Sequence, residues 1–243
     1  MNYLNHKFIE YFSESNIPKW KCSYCKKGIL SLKYESLSYT ETPESKKLRS
    51  DESWDPDWLD YRFSAIFTCG TCTGDTYVCG RAAHVCCHSI DPDEESFEEM
   101  QFTPSYFEPA IRLIDIPKSC PENIVKTLDG AFAVAWTDVA SGCNKLRVAL
   151  EKLVFELNPV STGNLHQKIT NLENSHAEIY SLLMAIKWLG NDASHDDSLK
   201  ECDLAFGFRV MSSVLKEIYD DDRAEINELV QIVNLMKGSP AKT

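Results

Sequence analysis

The chain has 243 residues, 43% of them hydrophobic and 26% charged, and a formal net charge of −12. That excludes a disordered chain and allows one large core or a small domain beside a medium one. The acidic balance repels bare phosphate backbones at long range, so non-specific DNA binding is not expected, although a local basic patch stays open.

Taken in chain order, Met1 to about Ile17 is predicted to be a short helix with an apolar stripe of Tyr3, Leu4, Phe8, Tyr11 and Phe12, ended by Pro18. No apolar signal segment is visible there, and no stretch reaches the length of a membrane span, so a cytoplasmic protein without membrane association is expected. From Trp20 to about Ser89 the apolar residues alternate: Ile29, Leu30, Leu32, Tyr34, then Tyr61, Phe63, Ala65, Phe67, then Thr76, Tyr77, Val78. This period predicts strands. Thr40 to Asp60 is polar and reads as a long loop with little structure of its own, in which Trp54 and Trp58 either fold back or form an exposed contact. Asp91–Glu99 reads as an acidic linker, and Phe102–Pro117 as an extended, proline-punctuated segment lying against a helical bundle.

From Ser119 the period becomes helical. Ser119-Cys120-Pro121-Glu122, Ser175-His176-Ala177-Glu178 and Ser198-Leu199-Lys200-Glu201 have the form of capping boxes. Trp136–Asp138 breaks the first helix from a second, and Asn158-Pro159 stops that one. A short segment spans Leu165–Leu172, Gly190-Asn191 is expected to end the next helix, and Asp220–Asp222 separates a last one, Ile226–Met236, from a frayed tail. The fold class expected is α+β: a small, β-rich zinc-ribbon module over 1–100, then an all-helical bundle over 101–243.

The sequence holds ten cysteines, and four of them form two CxxC pairs, Cys22–Cys25 and Cys69–Cys72. Two such knuckles supply the four soft donors of a tetrahedral, structural zinc site. Gly28 would permit a tight turn, and Lys26 and Lys27 would offset thiolate charge. The alternatives are four free thiols or two disulfides. Four cysteine ligands close the shell, which argues for a structural ion and against Lewis-acid chemistry. Cys79, His84, Cys86, Cys87 and His88 either hold a second metal or are small apolar residues.

In the helical half, Arg147 and Glu151 are four apart and share a face. Trp188-Leu189-Gly190-Asn191-x-x-Ser194-His195 puts a tryptophan, a helix stop and a histidine into one corner. With Leu146-Arg147-x-x-Leu150-Glu151 and Leu165-His166-Gln167-Lys168-Ile169, this corner resembles the family catalogued as domain of unknown function forty-one forty-five, over roughly Ile116–Tyr219. The resemblance implies a leading zinc knuckle, a setting in prokaryotic anti-phage defence, a bundle similar to the HEPN (higher eukaryotes and prokaryotes nucleotide-binding) domains, and a homodimer. Many HEPN bundles are metal-independent ribonucleases with an arginine placed shortly before a histidine. Here Leu189 and Gly190 occupy the arginine's region before His195, and Lys187 is the nearest upstream cation.

These residues admit three readings. In the first they are structural, His195 capping its helix and Arg147 pairing with Glu151. In the second Arg147, Glu151, Lys187, Trp188, Asn191 and His195 form a binding pocket for a nucleotide, RNA or a protein partner. In the third His195, aided by Arg147, is a ribonuclease base. The function expected is a zinc-binding, non-catalytic binding or adaptor protein. The alternative is a HEPN-like ribonuclease using His195.

Overall fold

The structure, a computed structural model, describes residues 11–87, 97–192, 200–219 and 221–237. It is α+β, an N-terminal antiparallel sheet followed by helices, and divides into two compact units. The first unit comprises Met1–Arg112 together with Phe132–Val139, and the second comprises Leu113–Ala131 and Ala140–Thr243.

The first unit is built on five strands: β1 (Leu30–Leu32), β2 (Ser38–Glu41), β3 (Tyr61–Cys69), β4 (Asp75–Cys87) and β5 (Phe97–Glu108). The order is β1-β3-β4-β5 and all pairs are antiparallel. β2 shares the same side of β3 as β1, pairing with its first half while β1 pairs with its last residues. Alternation along β3 sends Phe63, Ala65, Phe67 and Cys69 inward, all buried. One face of this strand therefore carries both the aromatic core and a thiol at its end. Phe12 is fully buried at the centre of that core, with ring centroids 5.4 Å from Phe63, 5.3 Å from Phe67 and 5.0 Å from Phe102. Trp20, Phe107 and Trp136 extend the cluster, with Trp136 4.7 Å from Phe107.

Three expectations are corrected here. Residues 11–17 are not helical, and 1–10 lie outside the described residues. Phe12 instead exchanges backbone hydrogen bonds with Phe102, at 2.9 and 2.8 Å, on the edge of β5. An aromatic that can fill a sheet core outweighs a short run with too few turns to hold a helix.

The polar stretch Thr40–Asp60 is also structured. It continues β2 and then forms helix α1 (Pro43–Leu48) and a 3-10 turn, Pro56–Trp58. Thr42 caps α1 by accepting from the Ser45 amide, and Pro43 supplies the fixed φ of the first turn. Arg49 grips the Glu41 carboxylate through two bonds, at 2.8 and 2.9 Å, which hold that carboxyl below its ordinary range. Trp54 is half-buried, with the Arg49 guanidinium 5.6 Å from its ring centre, and Trp58 is exposed.

The proline-punctuated segment after Phe102 is strand β5 up to Glu108. Pro104 is accepted because β5 is an edge strand whose register shifts at Cys79/Gly80.

The second unit holds α2 (Glu122–Ala135, its last residues in the first unit), α3 (Val139–Leu157), α4 (Leu165–Thr170), α5 (Ala177–Asp192), α6 (Glu201–Tyr219) and α7 (Asp221–Met236). Its core is mostly aliphatic: Ile124 and Leu128, Leu146, Leu150 and Leu153, Ile179 and Leu183, Leu204 and Met211 are buried at helical spacing, with the aromatic Phe208 among them. α4 is opened by a reciprocal capping box built on asparagine, Asn164 with Gln167, where the serine pattern does not point. The Ser119 hydroxyl donates to the Tyr219 carbonyl at 3.1 Å. Ser198 lies outside the described residues, and at the start of α6 the Lys200 amide donates to Asp203 at 2.9 Å. Among the described residues, no helix is long and apolar enough to cross a membrane.

Phe12→Ala removes a fully buried ring at the centre of the first core, so it is expected to lower stability by about 3–5 kcal/mol. Chemical denaturation checks this; a loss below about 1 kcal/mol would mean that Phe12 is not a core residue.

Candidate metal centre

Each CxxC pair sits where the chain reverses between extended segments. Cys22–Cys25 lies between Trp20-Lys21 and Ile29-Leu30, which pair through the Lys21↔Ile29 bridge and the Leu30-to-Trp20 hydrogen bond. Cys69–Cys72 lies in the turn joining β3 to β4. The two turns repeat one pattern. The amide four residues after the first cysteine donates to its carbonyl, Lys26 to Cys22 and Thr73 to Cys69, each at 3.0 Å. The amide two residues after it donates to its sulfur, Tyr24 to Cys22 and Thr71 to Cys69, each at 3.3 Å. The residue after the second cysteine is left-handed in both, Lys26 at φ 61° and Thr73 at φ 57°.

All four sulfurs lie within 4.8 Å of one another, and theirs is the one such metal-ligating group among the described residues. Cys22 and Cys72 are 3.6 Å apart, and Cys25 and Cys69 are 3.7 Å apart. A tetrahedral ion with metal–sulfur bonds near 2.3 Å would set sulfur edges of about 3.8 Å. These separations match that shell and are far longer than the roughly 2.05 Å of a disulfide. The four cysteines can therefore hold one metal ion.

Backbone amides prepare the thiolates. The Gly28 and Lys27 amides pull the Cys25 thiol down to about 6, and those of Cys72 and Thr71 pull Cys69 down. At Cys72 the Gly74 amide pulls down, but burial and the three neighbouring sulfurs outweigh it and push the thiol up to about 11. Without a cation the cluster cannot spread four negative charges, and a divalent ion removes that restriction.

The left-handed residue of the first knuckle is Lys26, not the Gly28 expected to make the turn. Gly28 serves close approach instead. A Cβ on it would lie 2.3 Å from the Cys69 sulfur and 2.7 Å from the Thr71 hydroxyl. Likewise, a Cβ on Gly74 would meet the Tyr24 ring at 2.6 Å, so the two knuckles interlock through their glycines. Lys26 donates to the Ser23 carbonyl of its own knuckle.

Of the second cysteine and histidine group, Cys79 and His84 are exposed on β4, five residues apart, which separates them by roughly 16 Å. They do not share a site. His84 packs edge-on to Tyr61 at 5.7 Å. His88 and the side chains of Cys86 and Cys87 lie outside the described residues.

In the second unit, Arg147 Nε meets Glu151 Oε1 at 3.4 Å across one turn of α3. Lys187 is buried to 8% exposure, and its ammonium lies 3.3 Å from the centre of the Trp188 ring. Trp188 itself is 54% exposed, with the His166 ring 6.2 Å away. The sequence marks His166 only as part of a motif; its place beside Trp188 depends on α4 folding onto α5, which spacing does not report. α5 runs through Gly190-Asn191 to Asp192, so the expected stop is corrected. Gly190 is there because the Arg147 side chain crosses α5 at that point, with Arg147 Cβ 2.8 Å from where a glycine Cβ would be. His195 and the Asn191 side chain lie outside the described residues.

Residues 129–235 match the family model described as Domain of unknown function (DUF4145), and residues 10–109 match another, Domain of unknown function (DUF8608). The resemblance read from the Trp188 corner is to the same family as the model that matches residues 129–235. No curated protein and no solved structure matches the chain. The DUF8608 match contains all four cluster cysteines, and the DUF4145 match contains Arg147, Glu151, Lys187, Trp188, Asn191 and His195.

Two glycine substitutions test these packings. Gly28→Ala is expected to weaken metal retention in a chelator competition by at least about tenfold, because the displaced atom is a ligand sulfur. Gly70→Ala, where a Cβ meets nothing closer than 4.0 Å, is the control and should match the unmutated chain. Equal retention by the two variants would refute the close-approach role. In the second unit, Gly190→Ala gains about 1 kcal/mol of helix propensity, but it drives a Cβ into the backbone-anchored base of Arg147, at a cost of about 1–3 kcal/mol. A lower unfolding temperature is expected, and a higher one would show that the helices are not held this close.

Proposed function

We propose that this chain is a zinc-stabilised, non-catalytic binding or adaptor protein. The observation that carries the reading is the four-sulfur cluster, in which cysteine donors match all four corners of a tetrahedral shell. Zinc favours that donor set and geometry. A shell filled by protein leaves no position for an activated water, so the ion's work is to tie the two knuckles together. Cys22, Cys25, Cys69 and Cys72 would hold it.

The binding face belongs to the second unit. A half-exposed tryptophan packed on the ammonium of the buried Lys187, with a histidine ring beside it, offers a flat aromatic surface backed by a buried positive charge. That chemistry suits a nucleotide, an RNA base or an acidic protein segment. The setting that accompanies this reading is a cytoplasmic component of prokaryotic anti-phage defence, which rests on the family resemblance alone.

The test has two arms. Elemental analysis of the purified chain is expected to find one zinc per chain, lost in Cys22→Ser and in Cys69→Ser. Incubation with single-stranded RNA, without added metal, is expected to leave the RNA intact for both the unmutated chain and His195→Ala. Absence of bound metal would sink the first half of the reading. Cleavage lost in His195→Ala would sink the second and establish the ribonuclease instead.

A further inference from the structure

The face of the sheet opposite the aromatic core carries a hollow of about 420 Å³, bounded by Ser36, Ser64, Ile66, Tyr77, Cys79 and Tyr106. The strand register explains it. Ser64 and Cys79 are cross-strand partners, and Cys79 is paired in turn with Tyr106. The next row toward the knuckles holds Ile66, Tyr77 and Glu108. Two small side chains are thus walled by larger ones. Ser36 closes the β2 side, its hydroxyl accepting from the Ile66 amide at 2.8 Å. Tyr106 is held in place, its hydroxyl donating to Glu108 at 2.8 Å. Tyr77 and Tyr106 are 56% and 44% exposed, so ring surface is left for a guest.

The row on the other side of Ser64 and Cys79 sets Arg62 directly opposite Arg81, both exposed. Like charges so placed are destabilising. Asp60 answers Arg62 at 2.7 Å, whereas Arg81 makes no ion pair among the described residues. The carboxylates of the face stand at the opposite end, Glu108 under the Tyr106 hydroxyl and Asp75 under that of Thr68. The hollow therefore lies between an acidic end and a guanidinium without a counter-ion, one pleat or about 6.8 Å from its floor.

From these observations we propose that the hollow binds a small aromatic carboxylate, its ring against Tyr77 and Tyr106 and its carboxylate on Arg81. Tyrosine walls favour a flat ring, and the guanidinium fork matches a carboxylate. The acidic end repels the charged head and so fixes the direction in which the ligand lies. The volume suits an acid of one or two rings. The ring and carboxylate of an arylacetate span about one row of the sheet, while the base and phosphate of a nucleotide overshoot it. The site lies within the first unit, and this inference does not rest on the metal or on the adaptor reading.

Cys79, exposed at the floor of the hollow, reports occupancy. Its alkylation by iodoacetamide is followed by peptide mass spectrometry on the metal-loaded full chain. Millimolar indole-3-acetate is expected to slow it at least about threefold. The neutral indole-3-acetamide and the cationic tryptamine carry the same ring and should bind at least about tenfold more weakly. Arg81→Gln should raise the dissociation constant of indole-3-acetate at least about tenfold and leave that of the amide unchanged. Tyr77→Ala should weaken both, and Lys216→Gln, on α6, should change nothing. Adenosine monophosphate, the phosphate-bearing probe, should protect less than indole-3-acetate. Circular dichroism like that of the unmutated chain confirms that each variant is folded. Absence of protection by indole-3-acetate overturns the proposal, as does equal protection by the three indoles, which would make the hollow merely apolar. So does protection indifferent to Arg81→Gln, or tighter binding of adenosine monophosphate, which would assign the hollow to a nucleotide.

Discussion

Four sulfurs confined within 4.8 Å of one another can all be ionised only if a cation sits among them. Much of the first unit depends on that constraint. The knuckles come from turns far apart in the chain, so an ion held between them would close a long loop and tie Trp20 and Leu30 to the β3–β4 turn. The sheet, in return, delivers the ligands. Phe67 and Cys69 leave the same side of β3, so the pleat that fills the aromatic core also aims the thiol. The sulfur cluster and the aromatic core are two ends of one buried row, and a change of register in β3 would move both.

What was legible in the sequence was whatever a short pattern determines by itself. The two CxxC spacings fixed the ligand set because a knuckle is a local structure. The period-two runs marked β3 and β4, and the 3.6 period marked α2, α3, α5 and α6. The misses share a cause, since each depended on a neighbour distant in the chain. Phe12 looked like part of a helical stripe, yet its partner is Phe102, across the sheet edge. Pro104 looked like punctuation in an extended segment lying against the bundle, but an edge strand with a register shift accepts it. Thr42-Pro43 was an exception, a readable helix start hidden inside a polar stretch.

Glycine shows the same limit. Gly28 and Gly190 both looked like residues of turn or stop, and neither has the left-handed backbone that would require glycine. Each is a place where something passes too close for a methyl group, the Cys69 sulfur in one case and the Arg147 side chain in the other. Sequence marks such a residue as unusual; only the fold says what it makes room for. The same holds for the Trp188 corner, whose motif was visible although the Lys187 ammonium over its ring and the His166 ring beside it were not.

Trp136 carries a consequence for how the protein is made. It belongs to the first unit and packs on Phe107 and Trp20, although the whole sheet and a complete helix precede it in the chain. A ribosome working from the N-terminus releases every strand before it releases this indole. The nascent sheet can close Phe12 on Phe63, Phe67 and Phe102, but it waits with the Trp20 and Phe107 rings lacking their last partner until the α2–α3 corner emerges, and that interval is when a chaperone has something to hold.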